Sequence, residues 1–468
     1  DQFVKEMRER GDQVLWLDDL EFLENWKYGE AVLPYMGVYI GKKQLQVVGE
    51  ITPDEFSGLR ARYPAFVRLF KEIHVAPFSD ESRRNICAQM LSHLRKHRKI
   101  KLEEEDFDYV GRLMLRFFPE RLFPGDLTSF LERAVELLRQ SKSRTLDRQA
   151  LIEAFADFTG LSPFFLKNDL LLNEAELETY FNAQIIGQPD AVKAMCDLVK
   201  IFKSELNDPG KPIAVLHFVG PTGVGKTKSA QVLAEYFFGQ GTADSPLIRV
   251  DMSEYKDGFR GINQENSPLV KGLKKKKFSV ILLDEFDKAS LKEAFRLMNA
   301  FDEGRMKDQT GQTLNFRNSI IILTSNIGTN VRRIRVPGQT TNAKEEYLSE
   351  IKKYFPPEIF NRIDQHIVFN PLKRDHIRQI TRLELEKIPS EHVGLLERNL
   401  KTVFSEALVE YLAQNGFDEK YGARPLQRTI RNTVVAAISH ALNREADWKN
   451  GTLFLDIKQE VVIDFQRG

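Results

Sequence analysis

Residues 213–238 constrain the fold more than any other part of the chain. The apolar run 213–219 is followed by the sequence GPTGVGKT at 220–227 and then by a pattern typical of a helix. Glycines let backbone N–H groups turn inwards, and a helix N-terminus adds the positive end of its dipole. The order strand, glycine loop and helix predicts a phosphate-binding loop, in which Lys226 would reach the β- and γ-phosphates and Thr227 would hold Mg²⁺. The alternative is a glycine turn without a ligand.

The composition argues against several classes of protein. A chain of 468 residues can form about three domains of ordinary size. Lysine and arginine total 68 against 67 aspartates and glutamates, which argues against a general nucleic-acid or anionic-membrane binder. Two cysteines, Cys87 and Cys196, are too few for a disulfide framework, so we expect a reducing, cytoplasmic compartment. No apolar run reaches membrane-spanning length, and we expect no membrane partner.

Polar side chains end two predicted strands that follow the loop. Asp284 and Glu285 come directly after the apolar run 280–283, and Asn326 follows the run 319–324. In open parallel sheets, ligands bind at the carboxyl ends of the strands. There Asp284 can complete the Mg²⁺ shell, Glu285 can polarise a water for in-line attack on the γ-phosphate, and Asn326 can orient that water. A structural carboxylate pair and a turn asparagine are the alternatives.

Two arginines are candidates for neutralising phosphate charge. Arg362 lies in the sequence FNRID directly before a predicted strand, and Arg424 lies in YGARP at the start of a predicted helix. An isolated arginine is most often part of a surface ion pair. However, charge spreads over the γ-phosphate during hydrolysis, and one arginine that neutralises it can be worth about 10³ to 10⁵ in rate.

The rest of the chain alternates apolar strands with helices. Strands are predicted at 14–19, 44–52, 72–78, 247–252, 279–284, 319–324 and 366–369. Helices are predicted throughout 80–141, where the periodicity is amphipathic, and at 170–181, 375–386, 405–414 and 425–442. This order predicts an α/β fold with a parallel sheet covered by helices on both faces, followed by a small α+β lid that ends in the alternating run 453–465.

Residues 180–468 contain seven short sequence motifs, one after another along the chain. They are IGQPD (186–190), GPTGVGKT (220–227), DMSEY (251–255), ILLDEFDKA (281–289), TSN (324–326), FNRID (360–364) and YGARPLQR (421–428). In this order they resemble the second ATPase module of the Clp family of AAA+ protein unfoldases and disaggregases. The resemblance implies tandem AAA+ modules, each a parallel sheet flanked by helices with a smaller helical lid subdomain.

The resemblance also implies roles for single residues. Ile186 would lie beside the adenine, Asn326 would be the sensor asparagine and Arg424 the sensor arginine of the lid. Arg362 would be the finger arginine that reaches the nucleotide of the neighbouring subunit, which implies a ring, expected to be a hexamer. The expected activity is Mg²⁺-dependent ATP hydrolysis that unfolds or remodels a protein client, with an adaptor as an optional partner. The predicted cofactor-binding residues are Ile186, Gly220, Pro221, Thr222, Gly223, Val224, Gly225, Lys226, Thr227 and Asp284; Thr227 and Asp284 are the predicted Mg²⁺ ligands; and Glu285, Asn326, Arg362 and Arg424 are the predicted catalytic residues.

The N-terminal part resembles the back half of the same family's first ATPase module. Residues 15–21 would form its acidic strand, and VGEITPDEF at 48–56 resembles the family's GATT-x-DEY segment. Asp19 replaces the family's catalytic glutamate, which draws the carboxylate back by one methylene and should impair water activation. Arg68 and Leu69 stand where the family has paired arginines. We predict a degenerate first module, incomplete in this chain, that builds the ring with little or no turnover.

The predicted boundaries divide the chain into segments. Residues 1–79 are the second half of the degenerate large subdomain and 80–142 its small helical subdomain. A connector follows at 143–183. Residues 184–371 form the second large subdomain with the ATP site, and 372–468 form its lid.

Departures from the family leave other functions open. Between Tyr255 and Phe278 the family has a GYVG pore loop whose aromatic side chain grips polypeptide, but this chain is shorter there and Phe259 is its nearest aromatic. An ATP-gated assembly scaffold that threads nothing is therefore one alternative. Residues after Asn326 contain no IGL or IGF tripeptide for docking a peptidase, and residues 133–151 lack the long coiled-coil insertion of disaggregases.

Basic runs at 95–101 and 274–277 support a third reading, a nucleic-acid remodeller. Basic residues at the C-terminal ends of helices also suit the helix dipole, and such runs are usually solvated. We therefore expect no nucleic-acid partner.

Overall fold

The structure is a computed structural model of the chain. The model describes residues 14–17, 20, 29–76, 78–118, 124–141, 143–167, 171–239, 247–257, 260–276, 278–328, 343–418, 422–445 and 447–467. Asp18, Asp19, Phe259 and Lys277 lie outside these ranges, so the predictions on them stay predictions. Within the described ranges, no helix is long and apolar enough to cross a membrane.

The N-terminal part is a two-stranded parallel sheet packed on helices. It comprises, in chain order, β1 (Val14–Leu17), α1 (Gly29–Gly41), β2 (Gln46–Gly49), α2 (Pro53–Arg62) and α3 (Pro64–Val67). Successive side chains of a strand point to opposite faces. Leu15 and Val47 therefore pack against buried helix side chains such as Leu33 and Phe66, whereas Trp16 is exposed.

The strand predicted at 72–78 is wrong, because residues 71–76 have no regular structure. Ile73 and Val75 alternate with polar residues and so suggested a strand, but their side chains are 80% and 88% exposed. Strand formation depends on packing and pairing rather than on alternation alone, and no described strand pairs with this segment. The next helix begins after Ser79, whose hydroxyl accepts a hydrogen bond from the N–H of Ser82 at 3.2 Å.

The predicted helical segment is confirmed. Its helices and those that follow it are α4 (Asp80–His97), α5 (Glu104–Phe117), α6 (Gly125–Gln140), α7 (Arg148–Thr159), α8 (Glu174–Gln184) and α9 (Pro189–Lys203). The helix predicted at 170–181 begins later, because the side chain of Asn173 accepts hydrogen bonds from the N–H groups of Ala175 and Glu176 and so caps it.

The central part of the chain is a five-stranded parallel sheet with helices, as predicted. Its elements are β3 (Ala214–Val219), α10 (Lys226–Phe238), β4 (Leu247–Asp251), α11 (Pro268–Lys275), β5 (Ser279–Asp284), α12 (Leu291–Arg296), α13 (Met298–Glu303), β6 (Arg305–Lys307), β7 (Thr313–Asn315), β8 (Ser319–Ser325), α14 (Ala343–Tyr354), α15 (Pro357–Phe360) and β9 (Gln365–Val368). The strand order is β4-β5-β8-β3-β9, and β6 and β7 form a separate antiparallel pair. All side chains of β3 and β8 are buried, as expected for a sheet covered on both faces. The strands end at one edge, where Val219 lies opposite Ser325 and Asp251 lies opposite Asp284.

One hydrophobic core joins the helices α5, α7 and α9 to this sheet. The ring of Phe117 lies 5.7 Å from Phe155, 6.2 Å from Phe202 and 5.4 Å from Phe278, measured between ring centroids. Aromatic side chains bury large apolar areas, and such contacts dominate the energetics of a core. The helical segment and the sheet are therefore packed against each other through one aromatic cluster.

The C-terminal part has a hydrophobic core of its own, which includes Leu385, Leu412 and Leu453. Its elements are α16 (Arg374–Glu391), α17 (Val393–Leu396), β10 (Leu400–Phe404), α18 (Glu406–Asn415), α19 (Arg424–Ile430), α20 (Ala436–Arg444), β11 (Gly451–Ile457) and β12 (Val461–Arg467). Strand β11 pairs with β10 in parallel and with β12 antiparallel. The helix predicted at 425–442 is interrupted by a π-helical turn, Arg431–Val435.

Replacement of Phe117 by alanine should destabilise the protein by about 3–5 kcal/mol, because it leaves a cavity in a packed aromatic cluster. The measurement is the midpoint of urea unfolding followed by circular dichroism. Phe454→Ala is the control, since that side chain is 39% exposed and its loss should cost less than about 1 kcal/mol. Equal midpoints for the two variants would show that the aromatic cluster does not hold the helices to the sheet.

Candidate nucleotide-binding site

The glycine loop at 220–227 joins β3 to α10, as predicted. Gly220 has a φ of +151°, and a Cβ atom there would lie 2.5 Å from the carbonyl oxygen of Phe369. Gly225 has a φ of +105° and caps α10. Glycine adopts both conformations without strain. The first N–H groups of a helix have no partner within the helix, so this end of α10 can bind a phosphate group.

Lys226 is buried within the loop and bonded to oxygen atoms only. Its Nζ donates to the carbonyl oxygens of Gly220 at 2.6 Å and Pro221 at 2.8 Å, and to Oδ1 of Asn326 at 3.0 Å. Burial lowers the pKa of Lys226 to about 8, although the carboxylate of Asp284 opposes this shift. The ammonium group is thus held by oxygen atoms at a place where phosphate oxygens could replace them.

Asp284 ends β5 with both carboxylate oxygens engaged. Oδ1 accepts a hydrogen bond from Oγ1 of Thr324 at 2.6 Å, and Oδ2 lies 2.6 Å from Nη2 of Arg249. The guanidinium of Arg249 therefore stands against the carboxylate that is predicted to hold Mg²⁺. Its position shows that this edge of the sheet accommodates a cation.

Glu285 and Asn326 complete the edge of the sheet. Glu285 has a φ of +55°, a conformation that is strained for a residue with a side chain, and its N–H donates to Oγ1 of Thr324 at 3.1 Å. The side chain of Asn326 accepts from Lys226 and, at 3.5 Å, from Oγ1 of Thr222. The N–H of Asn326 donates to Oδ1 of Asp287 at 3.4 Å. Strand ends and loop are thus connected by direct hydrogen bonds.

These residues surround a cavity of about 440 Å³ between the sheet and the C-terminal part that begins with α16, the predicted lid, which we call the C-terminal unit. The predicted site residues Ile186, Thr222, Gly223, Val224, Gly225, Lys226, Thr227, Asp284, Glu285, Asn326 and Arg424 all line it. Apolar side chains complete the wall, among them those of Ile185, Ile380, Leu383 and Leu426. An apolar wall on one side, with N–H groups and the ammonium of Lys226 on the other, suits a nucleotide whose base contacts the apolar wall and whose phosphates contact the N–H groups and the ammonium.

The C-terminal unit covers the loop directly. The N–H of Ala423 donates to the carbonyl oxygen of Gly223 at 3.2 Å. Gly422 has a φ of +61°, and a Cβ atom there would lie 2.7 Å from the same oxygen and 2.8 Å from that of Thr222. Since Arg424 begins α19 two residues later, a close backbone contact between lid and loop places its side chain at the cavity.

Some predicted residues lie elsewhere. Gly220 and Pro221 do not line the cavity and act through the carbonyl oxygens that hold Lys226. Arg362 lies outside the cavity and forms an ion pair with Asp302. Nζ of Lys274 lies 3.1 Å from Oδ2 of Asp308, whose side chain is fully buried, so this lysine of the basic run has a structural partner.

Three residues that contact the site are not apparent from the sequence alone. Arg249 and Thr324 belong to strands on either side of β5, and only the strand order brings them to Asp284. The third, Gln188, lies in the sequence IGQPD, and the pattern alone indicates no role for its side chain. Its buried side chain donates to the carbonyl oxygens of Val224 at 3.1 Å and Asn370 at 2.9 Å, and accepts from the N–H of Asn370 at 2.7 Å.

Comparison with known proteins agrees with this geometry. Residues 211–366 match the family described as AAA domain (Cdc48 subfamily), and residues 372–452 match the C-terminal, D2-small domain of ClpB protein. The chain is 27% identical over 532 residues to Chaperone protein ClpB of Oceanobacillus iheyensis, and the alignment covers 95% of this chain and 64% of that protein. The chain belongs to the Clp family of AAA+ ATPases.

Further relatives support the same assignment. This Clp-family chain is 28% identical over 548 residues to the Negative regulator of genetic competence ClpC/MecB of Bacillus subtilis, over 97% of this chain and 66% of that protein. The solved structure of the S. cerevisiae Hsp104-ADP complex is similar with a TM-score of 0.72 at 25% identity, over 99% of this chain and 82% of that chain. The predicted fold class is therefore correct. The chain spans less than two thirds of the length of the first curated relatives that it matches.

Nucleotide binding follows from membership of the family, and the residues present also fit Mg²⁺. The carboxylate of Asp284 accepts a hydrogen bond from Thr324 and faces the positively charged guanidinium of Arg249. Among the described residues, no three side chains of histidine, cysteine, aspartate or glutamate form a metal-binding group. A hard cation held by few protein ligands and by phosphate oxygens is typical of Mg²⁺, and Thr227 and Asp284 would be those ligands.

Nucleotide binding should take up a proton above the pKa of Lys226. With a pKa of about 8, the side chain of Lys226 is mostly the neutral amine at about pH 9 in the nucleotide-free protein. Bound phosphate favours the charged ammonium form. Isothermal titration calorimetry in two buffers of different ionisation enthalpy should show close to one proton taken up at about pH 9 and almost none at about pH 7.

Lys226→Arg is the control, because a guanidinium does not titrate in this range. The same proton uptake in wild type and in Lys226→Arg would show that another group titrates on binding. Equal uptake at both pH values would contradict the lowered pKa of Lys226.

Proposed function

We propose that this Clp-family chain hydrolyses ATP at the cavity described above, within a ring, and uses the energy to unfold or remodel a protein client. The observation that carries the proposal is the meeting of Lys226, Asp284, Glu285, Asn326 and Arg424 around one cavity that a separate unit closes. The relatives support it, since one is described as a chaperone, and the Hsp104 structure is a complex with ADP, an adenine nucleotide. The free thiols Cys87 and Cys196 support a reducing compartment, the cytoplasm.

The proposed mechanism assigns a task to each side chain. Lys226 exchanges its carbonyl partners for phosphate oxygens, while the N–H groups at the start of α10 bind the phosphate chain. Thr227 and Asp284 would hold Mg²⁺, which supplies charge neutralisation at the phosphates when bound. Glu285 accepts a proton from the attacking water, and Asn326 orients that water and Lys226 together.

The lid couples the state of the site to motion. Ala423 bonds to the loop backbone and Arg424 lines the cavity, so a change at the γ-phosphate alters contacts on both sides of the closed cavity. The C-terminal unit has its own core and can therefore rotate as one body. Such rotation would change the angle between neighbouring subunits.

The proposed ring is a hexamer in which Arg362 acts at the neighbour's nucleotide. Its place outside its own cavity, at 38% exposure, supports a role in trans. The ion pair with Asp302 would hold the guanidinium until the neighbour offers a phosphate. The client and any adaptor are proteins in this proposal, and the first module is a ring platform with little or no turnover.

A nucleotide-controlled assembly scaffold is the second candidate. One observation favours it, the short segment between Tyr255 and Phe278, in which the sequence has no GYVG element. In a scaffold, nucleotide binding would still assemble the ring, but no polypeptide would pass through it. Both candidates predict ATP hydrolysis and differ in the fate of a folded client.

Glu285→Gln should bind ATP and form rings but reduce hydrolysis at least about 100-fold, because the amide cannot accept the proton of the attacking water. The assay follows ATP-driven unfolding of a tagged fluorescent reporter protein, beside ATPase rates and ring formation. Wild type should unfold the reporter, and the variant should hold it without unfolding. Lys226→Ala is the control, with weakened nucleotide binding.

The possible outcomes separate the two candidates. Hydrolysis and ring formation without unfolding of the reporter or of any client would favour the scaffold. Near-wild-type hydrolysis by Lys226→Ala would show that the first module is not degenerate and that this cavity is not the main ATPase site.

Arg249→Gln should lower the Mg²⁺ concentration needed for nucleotide binding, because the guanidinium no longer competes for Asp284. The side chain of Arg249 in its ion pair with Asp284 is 55% exposed. We therefore expect the required Mg²⁺ concentration to change by about two- to fivefold. The measurement is a Mg²⁺ titration of binding by a fluorescent ATP analogue. Arg249→Lys, which keeps the charge, should change less. A higher Mg²⁺ requirement in Arg249→Gln would mean that Arg249 assists binding instead.

A further inference from the structure

Two histidines face each other inside the sheet. His217 on β3 lies opposite His366 on β9, and their Nδ1 atoms are 3.0 Å apart. Nε2 of His217 lies 2.8 Å from Oγ of Ser325 on β8. His217 is completely buried. A polar group in a core is costly unless it is hydrogen-bonded, and these contacts form one short network across three adjacent strands.

The distance between the two rings restricts their protonation. A hydrogen bond between two Nδ1 atoms needs one proton, so one ring donates and the other accepts. Burial lowers the pKa of His217 well below its usual value, and the positive charges of His366 and Lys226 act in the same direction. Burial also lowers the pKa of His366, against the backbone carbonyl of Phe360 and together with Lys352. The hydrogen bond requires that only one of the two Nδ1 atoms carries a proton, and burial favours the neutral form of each ring.

The network touches three functional elements of the proposed ATPase. Strand β3 continues from His217 into the phosphate loop, and Ser325 directly precedes Asn326. His366 follows the turn 360–364, which carries Arg362. The ring of His366 stacks on Phe360 in this turn, with centroids 4.3 Å apart and planes at 17°.

A second contact ties the same turn to the same strand. Oδ2 of Asp364 accepts a hydrogen bond from the N–H of Val215 at 2.7 Å, and the N–H of Asp364 donates to the carbonyl oxygen of Val215 at 2.9 Å. The turn is therefore held to β3 at Asp364 and again, two residues later, at His366. A turn held at two points has little freedom to move independently of the strand.

We propose that His217 and His366 are a positioning pair that holds the turn carrying Arg362 in register with the phosphate loop and Asn326. This inference rests on the proposed function, in which Arg362 acts at the neighbouring subunit's nucleotide. Neither histidine lines the nucleotide cavity. The pair passes a shift of β3 or Asn326, caused by nucleotide in one subunit, to the arginine which that subunit offers to the next.

The test compares two replacements of His366. His366→Leu fills the space but has no polar atom, whereas His366→Asn keeps a polar atom close to the position of Nδ1. Ring ATPase should fall about tenfold in His366→Leu, because small displacements of a catalytic group are costly, and stay within about twofold of wild type in His366→Asn. Amide hydrogen exchange in peptides covering 360–366 should rise about tenfold in His366→Leu only. His440→Leu, on the exposed side of α20, is the matched control and should change neither quantity.

Several outcomes would overturn the inference. Equal losses in His366→Leu and His366→Asn would mean that the polar atom is irrelevant, and a loss of ATPase without faster exchange would mean that the turn is not what the pair holds. If His366→Leu does not fold, Ser325→Ala replaces it, since it removes only the hydroxyl at the far end of the network and should raise exchange about threefold; no rise would reject the network.

The exchange measurement does not depend on ATP hydrolysis. If wild type neither hydrolyses ATP nor forms rings, the proposed function fails, while faster exchange in His366→Leu alone would still show that the pair holds the turn. If wild type is an active ring ATPase and exchange is unchanged in every variant, the function stands and the positioning pair is rejected.

Discussion

The buried ammonium of Lys226 is the interaction on which the nucleotide site depends. Its Nζ is held by two carbonyl oxygens of its own loop and by Asn326, so the loop is folded around a buried charge. Burial makes that charge costly, which the lowered pKa of about 8 expresses. A phosphate that enters relieves this cost, so the site favours an anionic ligand strongly.

Hydrogen bonds connect that charge to the ends of β5 and β8 and to the lid. Asn326 ties Lys226 to the end of β8, Thr324 ties β8 to Asp284 and Glu285, and Ala423 ties the loop to the lid. The lid has its own core, and the N–H of Ala423 joins it to the phosphate loop at Gly223. In the proposed mechanism, binding energy at the phosphates is converted into rotation of a whole unit rather than into local rearrangement.

Local chemistry explains which predictions from the sequence were correct. Glycines, a helix start and apolar runs specify strand, loop and helix through backbone conformation alone, so the arrangement at 220–227 and the parallel sheet followed directly from the residues. The strand predicted at 72–78 failed because strands depend on long-range pairing. Ile73 and Val75 alternate with polar residues, but no described strand pairs with residues 71–76. The helix predicted at 425–442 is helical throughout, with a π-helical turn at Arg431–Val435.

The sequence by itself determined the glycine loop, the acidic strand end, the asparagine after β8 and the family, because each is a short pattern whose chemistry is local. Only the tertiary structure decided that Arg249 faces Asp284, that Gln188 clamps the loop to Asn370, that Arg362 lies outside its own cavity, and that His217 meets His366. These contacts depend on strand order and register. Residues that are far apart along the chain become neighbours only when the sheet assembles, and no local pattern records which strand will lie beside which.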